Sequence, residues 1–113
     1  KKQEKDAAEI VGKTAKIYYD YLLHDDYAAF VDGSFRPDSI PSSYREQLID
    51  NAKMFIAQQQ TEHQGIKEVR VIRHRADTAK HTADVFLLLT FGDSTSEQIV
   101  VPMIQHKGTW LMR

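Results

Sequence analysis

The chain has 113 residues, with 15 lysines and arginines against 16 aspartates and glutamates, five histidines, no cysteine and a net charge of -1. A single domain of this length removes roughly 65% of its unfolded surface from water and can build a core without staples, while the missing cysteines exclude a disulfide scaffold and thiolate-held zinc or iron–sulfur sites. The near-neutral balance argues against general nucleic-acid binding, and no apolar run approaches the ~20 residues that span a bilayer, so no transmembrane segment is expected.

Lys1 to Asp6 carries charge at five positions and no apolar side chain, which reads as a disordered lead-in or tether; residues 7–113 read as one domain. From Ala7 the apolar residues Ile10, Val11, Ile17, Tyr18, Tyr21 and Leu22 recur at three- and four-residue steps, with Glu9, Lys13, Lys16 and Asp20 opposite. The pattern predicts an amphipathic helix ending near Leu23. His24-Asp25-Asp26 breaks it, and either aspartate suits the N-cap of a short second helix carrying Tyr27, Ala28, Phe30 and Val31.

Gly33 suits the end of that helix, and Gly33 to Pro41, with Pro37, Asp38 and Ser39 inside it, is the longest loop-like stretch. Ser43-Tyr44-Arg45-Glu46 matches a capping box and predicts a third helix. Its buried stripe is Leu48, Ile49, Ala52, Phe55, Ile56 and Gln59, and Gly65 marks its exit.

After Gly65 the period changes to two and β-branched residues accumulate. Strands are predicted over Ile66 to Ala76, Thr82 to Phe91, Ser94 to His106 and Thr109 to Arg113, joined by turns at Asp77 to His81, Gly92-Asp93 and Lys107-Gly108. Tight turns make these strands antiparallel. The expected class is therefore α+β, with three N-terminal helices packed on a curved four-stranded antiparallel sheet. Pro102, inside the third strand, removes a ladder donor and is expected at a bulge or kink unless that strand is an edge.

The two middle strands are apolar on both faces. Val85, Leu87, Leu89 and Phe91 share one face with the helices expected above it, while Phe86 and Leu88 take the other, joined there by Val100 and Ile104 of the next strand. Helices cover one face only, so a homodimer through Phe86, Leu88, Val100 and Ile104 is the preferred expectation, with cover by the loop or the N-terminal segment as the alternative.

The long helix running into a short one at His24-Asp25-Asp26-Tyr27-Ala28-Ala29-Phe30-Val31, and the meander closing on Lys107-Gly108-Thr109-Trp110-Leu111, resemble the nuclear transport factor 2-like superfamily with its cystatin-like, cone-shaped fold. More narrowly, the chain looks like the short, lumazine-binding-like domains of unknown function in bacterial envelope proteins. The resemblance runs from about Ala7 to Arg113 and implies a pocket between helices and sheet. It departs at Gly33 to Pro41, where many members carry a strand hairpin. A cystatin-like helix-on-sheet without a deep pocket is the second choice of fold. The superfamily contains isomerases, dehydratases, ligand binders and interaction modules, so fold alone selects no activity.

If a pocket is open, Tyr18, Tyr27, Phe30, Phe55 and Trp110 are the expected wall, suited to a small apolar or aromatic ligand, although most of these positions also fit ordinary core packing. A catalytic alternative is a cofactor-free isomerase or lyase in which Asp32 and Tyr18 supply the base and the oxyanion donor, which requires both groups at one water-excluded point. An Asp before a Gly is more often a helix-end residue. His24, His63, His74, His81 and His106 show no helical i, i+4 pair and no strand pair, so no metal and no cofactor are expected. Lys67, Arg70, Arg73, Arg75 and Lys80 form a basic strip that fits a phosphate or an acidic partner or, more simply, a solvated sheet edge. The leading expectation is a non-catalytic small-ligand-binding or protein-interaction module of a bacterial cell-envelope protein. The lead-in and the resemblance place it in the periplasm or on the cell surface, exported and lipid-anchored upstream of residue 1; a domain with a completely filled interior is the third reading.

Overall fold

In the computed structural model, the elements run α1 (Lys2–Leu23), α2 (Tyr27–Asp32), α3 (Ser42–His63), β1 (Ile66–Asp77), β2 (Thr82–Phe91), β3 (Ser96–His106) and β4 (Thr109–Met112). The structure describes residues 2–113, with side chains from Glu9 onward, so the lead-in expected at Lys1 to Asp6 lies outside the fully described residues. The four strands form one antiparallel sheet in the order β1-β2-β3-β4, with helices ahead of it in sequence, as the α+β reading expected.

The core lies on one face of this sheet. Val69, Val85, Leu87, Leu89, Val101, Met103 and Trp110 are buried there against Val11 and Ala15 of α1. The helix is rotated from its expected phase: Ile10 and Ile17 are about half exposed, at 54% and 48%, while Val11, Gly12, Ala15 and Leu22 are buried. Close approach explains the choice. A methyl group on Gly12 would lie 3.3 Å from the side chain of Val71, so α1 presents its small residues to β1 and leaves the isoleucines outside.

The α1–α2 break is built as its acidic residues suggest. Asp25 takes a left-handed conformation at φ 61°, and the Asp26 carboxylate accepts from Ala29 N at 3.2 Å, satisfying an otherwise free helix-start donor. Gly33 ends α2 for a different reason from the expected one. Its φ is -79°, open to any residue, but an added Cβ would lie 2.5 Å from Tyr18 Cδ1, so the ring of Tyr18 requires glycine there.

One local expectation fails at α3. The helix starts one residue before the proposed cap, behind Pro41, and no side chain caps it; Tyr44 N and Arg45 N donate instead to Pro41 O at 3.0 and 3.1 Å. The stretch before it is a loop, as expected, and is tied to the sheet at its start. Ser34 bridges Met112 in parallel, with Met112 N donating to Gly33 O at 2.8 Å and Phe35 N to Met112 O at 2.6 Å, so this stretch covers the β4 edge. The stripe on α3 faces the right way but is shallow: Ile49 and Ala52 are buried, whereas Phe55 is 38% exposed, because α3 packs chiefly on α2 and meets the sheet at β1.

Within the sheet, β1 carries the irregularities. Register shifts lie between Ile66 and Glu68 and between Val71 and Arg73. Strict alternation from Val69 and Val71 would bury Arg73. The extra residue, Ile72, turns Arg73 outward opposite Phe86 and brings His74 to the inner side opposite Val85. Pro102, by contrast, sits at no bulge: β2 and β3 pair without a break through Asp84 and Pro102. The Pro102 carbonyl accepts from Arg113 N at 3.0 Å. Its ring nitrogen lies on that same side of the strand, away from β2, so the missing donor costs the β2–β3 ladder nothing. The third strand begins at Ser96 rather than Ser94, since Ser94 has φ 73° and belongs to the hairpin loop.

Candidate functional site

The mostly apolar opening lies among the helices. Tyr19 and Leu22 of α1, Phe30 and Val31 of α2, and Leu48, Ala52 and Phe55 of α3 enclose a groove of about 330 Å3, with Ser34, Arg36 and Asn51 as its polar members. It exists because α2 is only six residues long and holds α3 off the sheet, so the two long helices meet across α2 without closing on each other. Tyr19 and Phe30 meet edge to face at 5.4 Å and 84°, a favourable aromatic arrangement that sets the wall. Burial raises the pKa of Tyr19, keeping its phenol protonated.

Arg36 stands at this groove with one nitrogen already fixed. Its Nη1 donates to Val31 O at 3.0 Å and Ser34 O at 3.4 Å, tying the chain after α2 to the end of that helix. Asp32, beside it, is engaged elsewhere: Arg45 Nε and Nη2 donate to its two carboxylate oxygens at 2.9 and 2.8 Å. The Arg45 hydrogen bonds hold the Asp32 carboxyl below its usual range, with Arg45 and Arg36 charges adding to the effect against a smaller desolvation.

Of the residues expected at a pocket, Phe30 and Phe55 line this groove and the other three do not. Tyr18 Oη donates to Trp110 O at 2.6 Å and its ring lies against Gly33; burial, then the nearby Tyr21, raises its pKa. Tyr27 donates to Asp25 Oδ1 at 2.9 Å on the α2 entry, and Trp110 is buried in the core. The catalytic pairing of Tyr18 with Asp32 is therefore not assembled. The tyrosine hydroxyl is spent on a backbone carbonyl, and the Asp32 side chain is 57% exposed at the end of α2 in a bidentate ion pair. Tyr19, Leu48, Ala52 and Arg36 were not among the expected site residues. The Gly12-Ala15-Tyr19 spacing was the available signal for Tyr19, since small residues mark the side where a helix approaches its neighbour.

The four outer-face residues fall together as expected from alternation. Phe86 pairs with Val100, Leu88 sits one step along β2 on the same face, and Ile104 pairs with Leu111 of β4. Val100 is 51% exposed, and the Arg73 guanidinium lies 4.3 Å from the Phe86 ring centre. A larger opening of about 570 Å3 at the β1–β2 turn is bordered by Arg75, Asp77, Lys80, Asp84 and Arg113; it is charged and open, and Arg75 is already within 3.4 Å of Asp84. Among the described residues no three potential ligands gather as a metal site would require, and no helix is long and apolar enough to cross a membrane.

No family model matches the sequence, and no curated protein matches it. Among solved structures, a protein of Campylobacter jejuni named as an NTF2-like transpeptidase is similar at a TM-score of 0.69 and 14% identity, covering 87% of this chain and 92% of that one. At that identity the likeness speaks for backbone arrangement alone. Helices followed by a four-stranded antiparallel sheet, aligned over nearly the whole length of both chains, give this protein the fold of the nuclear transport factor 2-like proteins.

Proposed function

We propose that this protein is a non-catalytic binding module that takes a small ligand into the groove between its three helices. The observation that carries the reading is the groove wall itself: Tyr19, Leu22, Phe30, Val31, Leu48, Ala52 and Phe55 converge on about 330 Å3, at the small end of ligand-site volumes. The commitment of Tyr18 and Asp32 to structural bonds supports the non-catalytic side of the proposal.

The proposal extends to assembly and location. A second copy seated on Phe86, Leu88, Val100 and Ile104 covers the apolar outer sheet face that the helices leave open, and the opposite face of the sheet is already occupied. Residence in a bacterial periplasm or on the cell surface rests on the family resemblance; fractionation of the full-length protein in its host checks it. The first test of the binding role is native mass spectrometry of protein purified from that host. A reproducible added mass, displaced when Ala52→Trp fills the groove, is the expected result. A species carrying no added mass under conditions that preserve weak complexes favours an interaction module with no ligand of its own.

A further inference from the structure

We propose that the groove selects small amphipathic carboxylates, with the apolar body against Tyr19, Phe30 and Phe55 and the anionic group on Arg36. This rests on the ligand-binding reading above and adds the chemistry of the ligand. Arg36 is half-buried at the groove, and the two carbonyl contacts of Nη1 lock its guanidinium in place. Among the described residues its Nε and Nη2 donate to no protein group, and it has no carboxylate at ion-pair distance. The nearby acid that feels its charge, Asp32, is neutralised by the bidentate contact with Arg45.

A positive group fixed in advance, with donors left over and no carboxylate of its own, is complementary to an anion, and the planar guanidinium suits two carboxylate oxygens at once. Beyond Arg36 the wall offers three further polar side chains, the Tyr19 phenol, Ser34 and Asn51, against six apolar ones, so most of the ligand is apolar. At the ~30 Å3 a water occupies in the liquid, the volume holds roughly ten non-hydrogen atoms. That is the size of a medium-chain or small aromatic carboxylate. Cationic ligands are excluded by Arg36, and neutral ones leave its donors unmatched while displacing their water.

Decanoate, decanol and decyltrimethylammonium, each below its micelle concentration, are titrated into 15N-labelled protein and followed by amide and arginine Nε–H shifts. Decanoate is expected to move Ser34, Asn51, Ala52 and the Arg36 Nε–H, and to bind at least tenfold more tightly than decanol, with the cation weakest. Arg36→Met should reduce decanoate to the affinity of decanol, while Arg36→Lys, which keeps the charge but loses the planar fork, should fall between; dispersed spectra of both variants confirm folding. Equal binding of all three probes to the groove overturns selection of the carboxylate and leaves the groove as a binding site. No shift at the groove from any probe, or shifts confined to the outer sheet face, overturns both.

Discussion

Tyr18 shows how one side chain can look catalytic in a sequence and act as a fastening in the fold. Its hydroxyl joins α1 to β4 through Trp110 O, and its ring occupies the space that a side chain at Gly33 would need. Tyr18→Phe should cost about 0.5–1.5 kcal/mol, the net worth of a typical hydrogen bond, read as a lower urea midpoint with an unchanged slope. Gly33→Ala should cost about 1–3 kcal/mol, because the new methyl forces the ring from its place although the backbone angle is permissible. In a Tyr18→Ala background that added penalty should vanish. A double-mutant cycle that comes out additive would show that the ring is not what excludes a side chain at position 33.

At the scale of elements, the C-terminal end of α3 is held by the β2–β3 hairpin. Gly92 N donates to Gly65 O at 2.9 Å, just past the helix, and Asp93 N to His63 O at 3.0 Å, the latter giving a partner to a carbonyl that the helix end leaves open. His63 stacks on Phe91 at 4.4 Å and places Nδ1 3.1 Å from Asp93 Oδ2. The Thr95 hydroxyl and then its backbone N–H, with His63 behind them, hold the Asp93 carboxyl below its usual range, outweighing the desolvation that acts the other way. A depressed carboxylate pKa stabilises the fold fully above the unfolded value, near 3.9, and the contribution fades as pH falls through the folded value. Urea titrations of wild type and Asp93→Asn should therefore differ at pH 5 to 7 and converge in acid. A gap that persists at the lowest pH at which both remain folded would show that the Asp93 charge is not its source, and no gap at any pH would assign the hairpin's attachment to backbone contacts alone.

For the molecule as a whole, the decisive fact is that all three helices precede the sheet and only one of its faces is covered by them. The protein measures 43 × 38 × 17 Å, thin in one direction. Proteins manage such faces by pairing them, and a stable pair needs roughly 800 Å2 from each partner. Sedimentation of the wild type should give twice the monomer mass, and Val100→Lys should give the monomer with an unchanged far-ultraviolet spectrum, since Val100 is already half exposed in one copy. A wild-type monomer at micromolar concentration would leave the outer face to some other cover. The basic strip adds a second constraint at this scale. β1 is an edge strand, and its two register shifts together with Arg70, Arg73 and Arg75 disfavour pairing along that edge.

Local chemistry determined most of the elements. The period change after Gly65, the acidic break at His24-Asp25-Asp26 and the Lys107-Gly108 turn, with φ of 52° and 82°, act over a few residues and are legible without a partner. So is the two-sided apolarity of β2 and β3, because alternation assigns faces whatever lies above them. The phase of α1 was not legible: Ile10 and Ile17 are more hydrophobic than Gly12 and Ala15, and only the closeness of β1 makes small size the better property. Pairing of Ser34 with the β4 edge depends on a strand nearly eighty residues later in the chain, and composition carries no trace of it. The groove belongs to the same category. Tyr19 comes from α1, Arg36 from the chain after α2, and Ala52 and Phe55 from α3, and it took the short α2, which sets the distance between α1 and α3, to bring them to one place.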